Sequence, residues 1–119
     1  MKYMVLMYAD PAATAAMTAE ERAEVFGRHK ALHRDLVDTG ELLNGAGLAY
    51  PVDTTTLRRG EDGPTASEGP LTGAVEQLTA YYVIDCESPE RARTIAERVV
   101  DFHVVAVEVR PVHDFFGMG

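Results

Sequence analysis

The segment from Thr18 to Gly40 constrains this chain most, because both ends of one long helix are written into it. Thr18 can cap the helix, and Glu21 three residues on completes a capping box. Glu20, Glu21 and Glu24 put negative charge where the helix dipole favours it. Gly40 stops the helix as a C-cap glycine, so the helix is expected to run to about Thr39. Its apolar stripe is Val25, Leu32 and Leu36, flanked by Phe26 and Val37.

The sequence on either side of this helix is strand-like. Residues 2–8 are apolar almost throughout and bounded by Asp10-Pro11, which reads as a central strand buried on both faces. Alanine-rich residues 9–17 read as a loop or frayed turn. Residues 41–50 look like a short strand interrupted by glycines, a pattern that marks a bulge or a close backbone approach. Residues 54–59 are β-branched, residues 60–64 make a turn, and residues 65–67 return as a hairpin. From Gln77 to Asp85 the chain alternates, with Leu78, Ala80, Tyr82 and Ile84 on one face and Thr79, Tyr81 and Val83 on the other. Ser88-Pro89-Glu90 starts a second helix with a cap, a first-turn proline and an acid. That helix turns Ala92, Ile95, Ala96 and Val99 inward, and His103 to Val112 supplies a last strand. The expected architecture is α+β: a ferredoxin-like βαβ–(β-hairpin)–βαβ sandwich over residues 1–119, one domain, with both helices on one face of an antiparallel sheet. The other sheet face keeps apolar residues that something must cover, and a homodimer is the expected cover.

Charge and cysteine usage exclude several functions. Eleven Lys and Arg against nineteen Asp and Glu leave a net charge of −8. That disfavours a phosphate backbone or an anionic membrane surface, so neither nucleic acid nor membrane is expected as a partner. The single cysteine, Cys86, allows no intramolecular disulfide. The apolar run at residues 1–8 is too short for a signal peptide, and no stretch reaches the length of a membrane span, so the expected location is the cytoplasm. No phosphate loop, nucleotide fingerprint or Ser–His–Asp order is present, and no cofactor is expected.

The histidines are the most informative polar residues. On a helical wheel His29 falls inside the stripe of Val25, Leu32 and Leu36, and His33 falls between Phe26 and Val37. Two imidazoles on a buried face need partners, and three roles are open to them: structural, acid–base, or metal ligation at i, i+4 spacing. No third ligand accompanies them, so no metal is expected. Tyr8, Tyr81, Tyr82, Glu68, Asp85 and His103 are the other polar candidates; Tyr8, His33, Glu68 and Tyr82 are the expected ligand contacts.

Met1-Lys2-Tyr3-Met4-Val5-Leu6-Met7-Tyr8, Thr39-Gly40-Glu41-Leu42-Leu43 and Gly45-Ala46-Gly47-Leu48 together resemble the opening of the YCII-related, or DGPF-domain, family. Thr54-Thr55-Thr56-Leu57-Arg58, Glu68-Gly69-Pro70-Leu71, Tyr81-Tyr82-Val83-Ile84 and Val107-Glu108-Val109-Arg110-Pro111 continue the resemblance in order. The family's Asp-Gly-Pro-Phe signature is here Glu68-Gly69-Pro70-Leu71, and the Glu-Thr-Lys-Glu run after it has become Thr72-Gly73-Ala74-Val75-Glu76. The resemblance implies a dimeric α/β barrel. It also implies a His–Asp pair in a cleft, which falls on His29 and, with a shift of register, on Asp101. One relative resembles a dehydrochlorinase of aromatic breakdown, and some resemble partners of extracytoplasmic-function sigma factors. Two functions follow. The first is a small cofactor-free enzyme doing elimination- or isomerisation-type acid–base chemistry on a small organic molecule, with His29 and Asp101 catalytic. The second is a non-catalytic module, a small-ligand sensor or a regulatory partner of such a transcription factor, which the altered signature loop favours.

Overall fold

A computed structural model describes residues 1–116. The chain order is β1 (Lys2–Ala9), α1 (Pro11–Ala15), α2 (Ala19–Thr39), β2 (Leu42–Gly47), a 3-10 turn (Pro51–Asp53), β3 (Thr55–Gly60), β4 (Gly63–Glu68), β5 (Gln77–Asp85), α3 (Pro89–Glu97) and β6 (Ala106–Pro111). Four strands form an antiparallel sheet in the order β2-β5-β1-β6, and β3-β4 form a separate two-stranded sheet. Leaving out the hairpin, the strand order runs second, third, first, fourth, which is compatible with a ferredoxin-like fold.

Both long helices begin where side chains can take up orphan backbone donors. Thr18 accepts from the Glu21 amide while Glu21 returns the bond to the Thr18 amide, and Gly40 ends α2 at φ 77°. Ser88 accepts from the Arg91 amide at the start of α3. Leu32 and Leu36 of α2, Ala92, Ile95 and Ala96 of α3, and Val99 just past its end, since α3 stops at Glu97 short of the expected Val99, pack with Tyr3, Val5 and Met7 of β1 and Ile84 of β5. The two helices therefore share one sheet face. Each fully buried Leu or Ile contributes about 1.5–3 kcal/mol relative to exposure. An ion pair fixes α3 to the entry of β2: Arg91 Nε and Nη2 donate to the two Glu41 carboxylate oxygens at 2.9 and 2.7 Å. Thr39 adds a third bond to the same carboxylate.

Several elements differ from the sequence expectation. β1 is central but buried on one face only: Tyr3, Val5, Met7 and Ala9 are buried, while Met4, Leu6 and Tyr8 are half-exposed. Strand alternation sends the even residues to the side without helices. Residues 11–15 form a short helix, because Asp10 caps the Ala12 amide and Pro11 occupies a first-turn position. The last strand starts at Ala106, since residues 101–105 form a turn held by Asp101. Phe26 and Val37 do not flank a buried stripe; they are 69% and 55% exposed. The bulge in β2 lies between Leu42 and Asn44, ahead of the glycines. Gly45 instead marks a close approach: a Cβ there would stand 2.7 Å from Cδ1 of Tyr82.

Candidate functional site

His29 lies midway along α2, one turn before Leu32 and two before Leu36, so the anchoring of those leucines fixes where its ring can go. The ring meets Asp101, which belongs to the turn between α3 and β6. Asp101 Oδ1 accepts from the amides of His103 and Val104 at 2.7 and 2.6 Å, which orients the carboxylate and closes the turn. Its other oxygen, Oδ2, points at α2. There it lies 3.7 Å from His29 Nε2 and 3.8 Å from Arg28 Nη1. The Asp101 side chain is 1% exposed and that of His29 is 25% exposed.

The contact between them is close but not a formed hydrogen bond. His29 Nε2 and Asp101 Oδ2 are both buried and have no hydrogen-bond partner among the described residues. A buried polar atom without a partner costs about 1–3 kcal/mol, so a small movement that closes the gap is favoured once a proton lies between them. A proton on Nε2 makes the approach attractive; a bare Nε2 would set two lone pairs against each other. The arrangement therefore selects the tautomer with hydrogen on Nε2, leaving Nδ1 as the nitrogen free to act as a base. Burial holds the His29 pKa below the ordinary histidine value, Asp101 pulls it back up, and the Arg28 charge adds to the lowering. Neutral imidazole with a carboxylate behind it is the form a general base needs.

His29 opens onto a cleft of about 570 Å³ between α2 and the β2–β5 side of the sheet. Met7 and Ala80 form its floor, residues 42–47 one wall, and Tyr82 and His33 complete it. The absence of a side chain at Gly45 lets the Tyr82 ring lie against β2. Burial raises the Tyr82 pKa, so its phenol stays protonated and can donate a hydrogen bond into the cleft.

Of the sequence candidates, the structure brings His29, Asp101, His33 and Tyr82 to this place. His33 is exposed at the rim of the cleft rather than on a buried face. The helix turns about 100° per residue, so a narrow contact with the sheet covers His29 and leaves His33 outside. Tyr8 is elsewhere. It lies on the opposite face of β1 from Met7, donates to Glu108 at 2.5 Å, and lines a different hollow with Leu71 and Leu78. Glu68 ends β4, exposed, on the separate hairpin. Arg28 was not singled out by the sequence, since one arginine on a charged helix carries no signal until Asp101 is seen beside it. Among the described residues, no group of three or more His, Cys, Asp or Glu side chains is placed to hold a metal. No described helix is long and apolar enough to cross a membrane.

A match to the YCII-related domain spans residues 1–116. An uncharacterized protein of Rhizobium meliloti is 32% identical over 114 residues, covering 94% of this chain and 92% of the relative.

Proposed function

The chain belongs to the YCII-related family, and from that premise we propose that it is a small cofactor-free enzyme moving protons on a small organic molecule bound in the α2–sheet cleft. The observation that carries this reading is the pair of buried, unpartnered atoms His29 Nε2 and Asp101 Oδ2, with the imidazole also lining an open cleft. Nδ1 takes a proton from a C–H bond of the substrate. The imidazolium so formed keeps its Nε2–H toward Asp101, whose carboxylate stabilises the charge without taking the proton. The electron pair left on carbon then forms a double bond. It expels a neighbouring leaving group in an elimination, or is reprotonated at another carbon by His29 in an isomerisation. Tyr82 is suited to hold the substrate oxygen on which charge develops.

The open sheet face of Met4, Leu6 and Tyr81 fits the same reading as a cytoplasmic homodimer, two such faces closing into a barrel. Sedimentation at micromolar concentration is expected to give twice the monomer mass; a monomer there contradicts the pairing.

The test of the chemistry uses deuterium. Wild-type protein and His29→Gln are incubated in D2O with a panel of small ketones and hydroxyketones, and exchange at carbon is followed by proton NMR. Wild type is expected to wash deuterium into at least one compound, and His29→Gln, with an unchanged fold, to lose that exchange. Compounds that raise the melting temperature of wild type without any exchange would instead make the protein a small-ligand-binding module.

A further inference from the structure

A second hollow of about 300 Å³ lies beyond the far end of the His29 cleft. The two are successive along the same strands: the first reaches Gly47 and Ala80, and the second begins at Leu48 and Thr79. Its walls include Pro11, Leu48, Pro51 and Leu78, and its volume is at the lower end of small-molecule sites. None of its lining residues is Lys, Arg, Asp or Glu. A charged ligand would therefore lose its hydration there without gaining a counter-ion.

Two polar side chains of this hollow, His103 and Gln77, are left as acceptors by their neighbours. His103 Nδ1 lies 3.1 Å from Thr14 Oγ1. Thr14 has one hydroxyl hydrogen, and it is given to the Asp10 carbonyl at 3.1 Å. Thr14 Oγ1 must then accept, so His103 carries its hydrogen on Nδ1 and presents a bare Nε2 lone pair. The His103 backbone is held in place by its N–H, which donates to Asp101 Oδ1 at 2.7 Å. Gln77 is spent in the same way. Its amide nitrogen donates to the Thr72 and Ala74 carbonyls at 3.0 and 2.7 Å, leaving Oε1 with no partner among the described residues.

We propose that this hollow is a binding site for an uncharged alcohol with an apolar body, whose hydroxyl donates to His103 Nε2 while the body lies on Pro11, Leu48, Pro51 and Leu78. It does not require His29 to be catalytic. Thr14 is a positioning residue that fixes the tautomer.

Benzyl alcohol and anisole provide the test, being isomers of which only the first can donate a hydrogen bond. Long-range nitrogen–proton NMR of the labelled full chain at pH 8 is expected to show His103 protonated on Nδ1, against the Nε2–H form usual for solvated imidazole. Benzyl alcohol should shift the His103 Nε2 signal and the Leu48 and Thr79 amides in a saturable way. Anisole should bind about fivefold more weakly, the worth of one ordinary hydrogen bond. Thr14→Val should release the tautomer and weaken benzyl alcohol by a similar factor, while Thr14→Ser should retain both properties. An Nε2–H tautomer in wild type, equal binding of the two isomers, no saturable shift, or unaltered benzyl alcohol binding in His103→Ala would each overturn the proposal. If Thr14→Val fails to fold, the wild-type tautomer and the isomer comparison still decide.

Discussion

Removing the Asp101 carboxylate should separate what it does for the fold from what it does for His29. The Asp101 side chain is 1% exposed, and one of its oxygens takes both the His103 and Val104 amides. Asp101→Ala leaves two amides without that acceptor, at about 1–3 kcal/mol each when fully buried. His103 is half-exposed, so its amide can recover some hydration, and the sum is about 3 kcal/mol. At roughly 2.1 cal/mol/K per residue, 119 residues give an unfolding entropy near 0.25 kcal/mol/K, so the melting temperature should fall by about 12 °C. Asp101→Asn keeps the acceptor and loses only the charge, for about 1 kcal/mol and a fall of about 4 °C. The same conservative change removes the carboxylate that pulls the His29 pKa upward and leaves burial and Arg28 in place, so the His29 pKa should drop further. Scanning calorimetry at pH 7.5 reads the first effect, and NMR titration of the histidine ring signals reads the second. An Asp101→Ala protein within about 0.5 kcal/mol of wild type, or a His29 pKa that rises in Asp101→Asn, would refute the reasoning.

Three further outcomes follow from the geometry. Gly45→Ala puts a methyl 2.7 Å from the Tyr82 ring and 3.0 Å from the Tyr81 carbonyl, which should cost about 1–3 kcal/mol and move Tyr82; an unchanged melting temperature would show that the ring yields freely. Glu41→Gln should cost about 2 kcal/mol by breaking the paired bonds from Arg91. Those bonds hold the Glu41 carboxyl below its ordinary pKa of 4.5, so their stabilisation is present above that pH and lost as pH falls through the lowered value; melting curves at pH 5 and pH 3 should differ less in the variant than in wild type. His29, held below 6.5, favours the neutral folded state: its share of stability is complete above pH 6.5 and declines as pH falls below it, and His29→Gln should remove that part of the slope while NMR confirms the lowered titration.

What the sequence discloses depends on the range of the interaction that decides it. The starts of α2 and α3 are legible to the residue, because they are fixed by side chains three positions away, Thr18 with Glu21 and Ser88 with Arg91, whereas the end of α3 carries no such signal and falls at Glu97 rather than beyond Val99. α1 is hidden by its alanines and short length, although Asp10-Pro11 carries the same kind of signal. Strand alternation sorts the residues of β1 into two sets, but which set meets the helices is a tertiary fact, and so Tyr8 was grouped with a cleft on the other face. The wheel alone picks out His29, whereas Asp101 is reached only through the family resemblance, since it comes to His29 from 72 residues away through a turn with no periodic pattern. Thr14 and His103 are further still from legibility, because their pairing needs α1 and the Asp101 turn to be in place together.

The position of β1 also sets a schedule. It is one of the two inner strands of the sheet, paired with β5 and β6, yet β5 starts about 70 residues later in the chain and β6 about 100. On a ribosome adding about 5–20 residues per second, β1 waits several seconds for either neighbour. During that interval the strand Lys2–Ala9 carries both edges unpaired and seven apolar side chains, Tyr3 to Ala9, in a row. The cell must shelter this segment from other nascent chains until β5 and β6 arrive, and a stall in translation between them would leave β1 with one side still open.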